Sequence, residues 1–331
     1  MTTDILYIDF SKDQYTLPKV SESWQQEIID FIEYYQGHNE IPVQTSGSTG
    51  EPKQYKLPKK AMQQSAQRTA DFLDLKIGDT AMLCMPVSYI AGKMMIVRAM
   101  EVRMKLICVE PKSKIKYTGE INFCALTPMQ AEASLDYLKS DFIIDKLILG
   151  GAKVSGFLEQ KLSSIDTEVY ETYGMTETIT HIAMRKLGEQ QYFHTLKGVK
   201  ISQNGDGCLQ IKTSYFPDVI ETNDLVEIKN DSEFKIIGRV DHIINSGGLK
   251  INPEDLEQKL KPYIQEPYII HFKPDDLLGQ RVILLIESDK EIAVEYPADL
   301  IPKNKQPKEI HYIPSFPRTK SGKIQRKKIK L

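Results

Sequence analysis

Apolar residues arrive in two rhythms along the chain. Between residues 57 and 174, short, mainly apolar runs at 81–85, 105–109, 123–126, 146–149 and 168–170 alternate with longer stretches at 59–75, 94–101, 128–139 and 156–162 that read as helices. Mainly apolar runs are what strands look like when helices cover both faces, so this region predicts a largely parallel sheet dressed with helices. Ahead of it, Ser23 is placed to cap a helix over 24–36, with Gly37 as its stop. From 192 to 237 the strands shorten and alternate, as at 209–212 and 234–237, which predicts an antiparallel β-rich subdomain. Beyond Arg239 the pattern is mixed again. Asn252 and Pro253 read as the cap and first residue of a helix to about Leu260, followed by strands at 268–272, 281–286 and 309–312. The stretch 318–331 is basic and contains a glycine, as a loop ending in a short strand or helix does. The expected fold class is α/β: a large N-terminal domain over residues 1–239, with a mostly parallel sheet plus the β-rich subdomain, and a small α+β C-terminal domain over 240–331.

Composition narrows the classes of function. A chain of 331 residues exceeds one ordinary core, in keeping with two domains. The 43 Lys and Arg nearly balance 45 Asp and Glu, so charge gives no reason to expect nucleic acid or an anionic membrane as partner. Cys84, Cys108, Cys124 and Cys208 form no C-x-x-C pair, and three sit in apolar runs. Buried thiols in a reducing, cytoplasmic compartment are therefore expected, not disulfides or zinc. The first residues hold early acids and no long apolar stretch, so no signal peptide is expected. The most apolar region, 81–100, is broken by Lys93 and Arg98, so no membrane span is expected.

Four strings could carry chemistry. The first is Thr45-Ser46-Gly47-Ser48-Thr49-Gly50-Glu51-Pro52-Lys53. Glycines and small residues let a backbone wrap phosphate oxygens, hydroxyls donate to them, and Lys53 adds positive charge. A flexible linker is the competing reading, disfavoured by the ordered Pro52-Lys53 pair. A kinase or GTPase loop would place Lys directly after the second glycine. The second string is Glu171-Thr172-Tyr173-Gly174-Met175-Thr176-Glu177-Thr178, expected just after a strand, at the sheet edge where open α/β folds bind ligands. Tyr173 can stack on a purine, Thr176 can donate to a phosphate, and Glu177 can hold Mg²⁺ through oxygen. Read alone, it is equally a polar turn. The third is Gly238-Arg239-Val240-Asp241 with Ser246-Gly247-Gly248-Leu249-Lys250 behind it. Arg239 can donate to ribose or phosphate, or simply make a surface ion pair. The fourth runs from Pro317 to Arg326 and contains Lys320-Ser321-Gly322-Lys323. A lysine on such a loop can reach into a site and neutralise developing charge, although a basic run is more often a solvated tail.

The order of these strings resembles that of the adenylate-forming enzymes: acyl- and aryl-CoA synthetases, adenylation domains of peptide synthetases, and luciferases. The resemblance spans residues 45 to 326. It implies an ATP-dependent, Mg²⁺-assisted activation of a carboxylic acid to an acyl-adenylate, then a thioester with CoA as co-substrate. It also implies roles. Thr45, Ser46, Gly47, Ser48, Thr49, Gly50 and Lys53 form the phosphate loop. Gly150, Gly151 and Ala152 form a turn beside adenine, which Tyr173 flanks. Thr176 serves phosphate, Glu177 serves Mg²⁺, and Asp224 holds the ribose hydroxyls with help from Arg239. Asp241 is the hinge of a mobile C-terminal domain, Lys323 its catalytic lysine, and Ser246, Gly247 and Gly248 lie on the CoA side. Tyr89 and Arg98 border the acyl group.

Three departures accompany the resemblance. The phosphate loop starts at Thr45, where the family usually has a long preceding subdomain. This implies a truncated N-terminal domain, with an acyl-site wall that is shortened or supplied by another subunit, as in a homo-oligomer. Asn223 stands where the family usually has glycine, and Tyr89 where many members have histidine. Arg98, six residues after Gly92, is suited to grip a second carboxylate, although a helix-end arginine facing solvent is as good a reading of that position. In a short chain with this loop sequence it resembles the o-succinylbenzoate–CoA ligases of menaquinone synthesis. Another aryl- or fatty-acid CoA ligase, or an enzyme that loads a carrier protein, is the alternative. A non-catalytic nucleotide-binding relative would have no chemical need for both Glu177 and Lys323.

Overall fold

The computed structural model describes residues 5–44, 54–216, 218–319 and 324–329. The expectations for residues 45–53 and for Lys323 lie outside the described residues. The chain forms two compact units, one of residues 1–199 with 213–217, the other of 200–212 with 218–331.

In the first unit the elements run β1 (Ile5–Asp9), α1 (Ser23–Gly37), β2 (Glu40–Gln44), β3 (Gln54–Pro58), α2 (Lys59–Leu73), β4 (Thr80–Leu83), α3 (Ile90–Val102), β5 (Lys105–Val109), β6 (Gly119–Leu126), α4 (Pro128–Ala133), α5 (Leu135–Leu138), β7 (Phe142–Leu149), α6 (Gly156–Leu162), β8 (Glu168–Gly174), β9 (His181–Lys186) and β10 (Phe193–Thr195). Their sheet has the order β1-β5-β4-β6-β7-β8-β9-β10. The pairs from β5 to β8 are parallel, as expected from the mainly apolar runs. The flanking strands β1, β9 and β10 pair antiparallel. Helices α4, α5 and α6 cover one face through Ala131, Leu135, Leu138, Leu158 and Leu162, which pack with Cys124, Leu126, Leu147 and Leu149. The helices α2 and α3 pack on each other, and α3 rests on β4 and β5. Strands β2 and β3, which flank residues 45–53 in sequence, pair with each other, Gln44 opposite Gln54. All four cysteines are buried and free, three of them on β4 to β6 or just after.

Some local expectations are corrected. Ser23 does not cap α1. Glu22 is the cap residue, without a side-chain bond, and its carbonyl takes Gln25 N and Gln26 N at 3.1 and 3.0 Å, so Ser23 is already helical. Gly37 is the last helical residue and the chain turns extended at His38. The helix expected over 128–139 breaks at Ser134, whose hydroxyl accepts from Ile115 N at 2.8 Å. Strand β8 continues to Gly174, so Glu171 to Gly174 are strand residues and only Met175 onward leaves the sheet. The antiparallel region begins at His181, ahead of residue 192.

In the second unit, β11 (Lys200–Gln203), β12 (Cys208–Lys212), β13 (Ile220–Asn230) and β14 (Glu233–Arg239) form an antiparallel meander. The sheet then changes: β15 (Ile244–Ser246), β16 (Leu249–Ile251), α7 (Pro253–Leu260), β17 (Tyr268–Asp275), β18 (Gly279–Glu287) and β19 (Glu309–Ile313) build a five-stranded sheet, with β19 parallel on β18. Its core joins Leu256 and Leu260 of α7 to Ile270, Leu284 and Ile286. Asn252 caps α7 by accepting from Glu254 N at 3.0 Å, and its amide donates to Ile237 O at 2.8 Å. Among the described residues no helix is long and apolar enough to cross a membrane.

Candidate functional site

The carboxyl ends of β7 and β8 lie side by side, with Leu149 opposite Glu171. The two turns that leave them, at Gly150 and at Met175, therefore share one edge of the sheet. Thr172 Oγ1 donates to Leu149 O at 3.0 Å. A Cβ on Gly150 would fall 2.7 Å from that hydroxyl, and Gly151 has φ +83°, so this turn needs its glycines. A Cβ on Gly174 would sit 2.3 Å from Thr180 O, which holds the exit of β8 against the start of β9. Glu171 is a brace: buried, it accepts from Val154 N at 2.8 Å and from Arg185 Nε at 2.7 Å. Tyr173 is buried on the same strand, its ring 6.1 Å from that of Phe193.

Thr176, Glu177 and Thr178 form one tight helical turn. Thr178 Oγ1 takes Met175 N at 2.9 Å and reaches Thr180 O at 2.7 Å, closing the turn on itself. The next residue, Ile179, is fully buried at φ 70°, ψ −58°. A β-branched residue pays for that conformation and keeps it only where its surroundings impose it, which is a mark of functional sites. Glu177 is exposed and makes no ion pair among the described residues. Among the described residues no group of three or more His, Cys, Asp or Glu is placed to hold a metal ion. A single exposed carboxylate such as Glu177 fits Mg²⁺, which takes one or two carboxylates and completes its shell with water and substrate phosphates.

Beside this edge lies a buried cation. The loop after β4 ends at Tyr89, whose N–H donates to Pro86 O at 3.2 Å, and α3 follows. A Cβ on Gly92 would meet Pro86 O at 2.3 Å, so glycine lets helix and loop touch. Two turns later Arg98 is 2% exposed, which excludes the solvent-facing reading. Its Nη2 donates to Thr180 Oγ1 at 3.2 Å, and among the described residues it pairs with no carboxylate. Burial pushes its pKa down to about 10, against which the Tyr215 hydroxyl pulls upward; the guanidinium stays charged at neutral pH.

A short relay fixes this arginine. Thr180 Oγ1 lies 3.2 Å from His181 Nδ1, His181 Nε2 lies 2.9 Å from Thr69 Oγ1, and Thr69 Oγ1 donates to Ser65 O at 3.1 Å. Thr69 spends its one proton on a carbonyl, so His181 Nε2 must donate to it. Nδ1 must then accept from Thr180, which in turn accepts from Arg98. The scheme requires a neutral ring. Burial, and then the Arg98 charge, hold the His181 pKa well below its ordinary 6.5. Above that value folded and unfolded chains both hold a neutral ring and stability is full. Below it only the unfolded chain binds the proton, so stability falls by up to about 1.4 kcal/mol per pH unit. Between about pH 7.5 and 5.5 wild type should lose thermal stability relative to His181→Gln; parallel melting curves would show that His181 is not the source.

In the second unit, Asp224 and Arg239 are cross-strand partners on β13 and β14. Arg239 Nη1 donates to Asp224 Oδ1 at 2.8 Å, and Nε donates to Asp241 Oδ1 at 2.9 Å. One guanidinium thus ties the expected ribose carboxylate to the expected hinge. Despite burial, Arg239 lowers the pKa of Asp241. Ser246 is buried at the end of β15, and Gly247 and Gly248, with φ of 57° and 81°, form the two-residue turn into β16.

The expected residues gather in three places: Gly150 to Ala152 with Tyr173 to Glu177, Tyr89 to Arg98, and Asp224 with Arg239 and Asp241. Thr69, Thr180 and His181 escaped the sequence reading. Thr69 and His181 are 112 residues apart and meet only when α2 packs near β9; no local pattern marks them.

Residues 43–202 match the family model of AMP-binding enzymes. The chain is 28% identical to a 2-succinylbenzoate–CoA ligase of Staphylococcus epidermidis, over 86% of this chain and 68% of that one. It is 24% identical to one from Listeria monocytogenes, over 100% and 76%. Among solved structures, an acyl-CoA synthetase (AMP-forming)/AMP-acid ligase II-like protein from Dyadobacter fermentans is 29% identical, covers 98% of each chain and has a TM-score of 0.63. An o-succinylbenzoate coenzyme A synthetase from Bacillus subtilis, in complex with ATP and magnesium ion, is 19% identical over 87% and 69%, with a TM-score of 0.72; this likeness is of fold alone.

Proposed function

We propose that this chain, whose residues 43–202 match the family of AMP-binding enzymes, is an acyl-adenylate-forming ligase that converts an aryl dicarboxylic acid, o-succinylbenzoate, into its CoA thioester. The observation that carries the substrate is Arg98, a buried guanidinium without a carboxylate partner among the described residues. Such a charge is costly unless a ligand pairs with it. The curated relatives named for 2-succinylbenzoate support the same choice.

In the first half-reaction a carboxylate oxygen attacks the α-phosphorus of ATP. The bond to the bridging oxygen breaks and pyrophosphate leaves with the electron pair. Two anions must approach, so the protein's work is to hold positive charge and N–H donors around them. Thr45 to Gly50 and Lys53 grip the phosphates, and Thr176 adds a hydroxyl. Bound Mg²⁺ supplies further neutralisation of phosphate charge, and Glu177 is the residue to hold it. Asp224, kept in place by Arg239, accepts from the ribose hydroxyls. Gly150 to Ala152 and Tyr173 border adenine. In the second half-reaction the CoA sulfur attacks the acyl carbon, AMP leaves, and the thiol proton passes to solvent. For this step residues 240–331 turn as a mobile domain about Asp241, withdrawing Lys323 and presenting Ser246 to Gly248.

The test is pyrophosphate release over a panel of acids, with and without CoA. The expected outcome is fastest turnover with o-succinylbenzoate and a thioester product. A monocarboxylate as best substrate would sink the assignment, and an adenylate that CoA never consumes would point to carrier-protein loading. In the same assay Asp241→Pro should fix the local backbone and impair one half-reaction more than the other. Unchanged rates in both would remove Asp241 as hinge.

A further inference from the structure

Among the described residues, four buried side-chain polar atoms lack a hydrogen-bond partner: Ser65 Oγ, Arg68 Nη1, Arg98 Nε and Glu254 Oε2. Buried polar atoms are satisfied as a rule, so each exception asks for a reason. The first three belong to one neighbourhood. Ser65, Arg68 and Thr69 lie on one face of α2, at the spacing of consecutive helical turns. Thr69 joins them to His181, Thr180 and Arg98 through the relay described above. Arg68 lies with its guanidinium carbon 4.2 Å from the Tyr215 ring centroid, and its Nη2 donates to Ser214 Oγ at 2.8 Å. Helix α2, which carries Arg68, packs on α3, which carries Arg98. Neither arginine pairs with a carboxylate among the described residues.

Two guanidinium N–H groups without acceptors, with a free hydroxyl beside them, make a donor set with no negative charge. Water could satisfy the N–H groups but would bring no negative charge to the buried Arg98 guanidinium. A carboxylate meets both needs, because its two oxygens offer about four acceptor sites.

We propose that Arg68 is a second specificity-determining cation of the acyl subsite, which acts with Arg98 on the distal carboxylate of the substrate while Tyr215 and Ser214 hold it in place. The proposal rests on the reading that Arg98 grips that carboxylate. It adds a residue from α2, and a dependence on Ser214 and Tyr215, that Arg98 alone does not require.

The experiment compares kcat/KM for pyrophosphate release with o-succinylbenzoate and with 4-oxo-4-phenylbutanoate, the same skeleton one carboxylate short. Arg68→Gln should lower the ratio of the first to the second by about 10- to 100-fold, the range for a hydrogen bond to a charged group. Arg68→Lys, which keeps the charge but not the planar fork, should recover part of it. A structural clamp on Ser214 and Tyr215 would lower both acids together, along with the melting temperature; that outcome, or an unchanged ratio, overturns the proposal. Arg98→Ala run alongside separates the two ideas. A ratio that falls with Arg98→Ala but not with Arg68→Gln removes Arg68 and leaves the Arg98 reading intact. A ratio that falls with neither removes that reading as well.

Discussion

Replacing Lys323 with alanine is expected to slow acid-dependent pyrophosphate release by roughly 10²–10³-fold, the range for loss of one preorganised transition-state donor. The proposed role rests on the Pro317 to Arg326 string and on the resemblance that singles out Lys323. A lysine on a glycine-flanked loop can sit where charge develops between the attacking carboxylate and the α-phosphate. The second half-reaction has no such need. Its leaving group is AMP, and the sulfur attacks carbon, so the variant should consume a pre-made acyl-adenylate with CoA at close to the wild-type rate. The two rates must be measured separately, by pyrophosphate release and by thioester formation. Equal losses in both would show that Lys323 shapes the site in general and is not reserved for adenylation.

Arg98→Ala is the second large effect. Truncating one partner of a buried, hydrogen-bonded charge pair costs about 2–5 kcal/mol, or roughly 30-fold to several-thousand-fold. That loss should appear in kcat/KM for o-succinylbenzoate and far less for an acid with a single carboxylate. The surroundings of Arg98 argue for a specific loss. Arg98 touches Thr180 and Met95 and no acidic side chain among the described residues, so its removal strands no protein carboxylate. The ratio of kcat/KM between dicarboxylate and monocarboxylate is the quantity to follow. If it does not fall, the o-succinylbenzoate assignment loses its physical support.

Much of the frame was legible because one cause wrote both sequence and structure. Strands covered on two faces are largely apolar, and the runs that became β4 to β8 could be read off from their apolar centres. The Asn252-Pro253 pair marked the start of α7 for an equally local reason: one side chain to accept an orphan N–H and one ring that needs none. Failures came where a partner distant in sequence decided. Ser134 breaks a helical pattern because it answers the backbone of Ile115. Strand β1 alternates as an edge strand does, Leu6 and Ile8 inward with Ile5 and Tyr7 outward, yet five residues give too little periodicity to stand out. In the site, glycine-rich turns announce themselves, since only glycine tolerates them. Arg98 was visible as a charge on an apolar helix. Arg68, Thr69 and His181 were not, because a polar residue on a helix or strand looks the same whether it meets water or another buried polar group.

The buried thiols have a practical consequence. Cys84, Cys108, Cys124 and Cys208 are all buried in the folded chain. Burial raises the pKa of Cys108, and a hydrogen bond with Cys84, together with burial, raises that of Cys124, so neither offers a thiolate at neutral pH. A chromogenic thiol reagent added to a reaction mixture would then titrate free CoA against a blank close to zero, and thioester formation could be followed as loss of colour. The same reagent, given to the enzyme alone, would report how often its interior opens, and the slowing of that colour by ATP or by acid would rank ligands without any label attached to the chain.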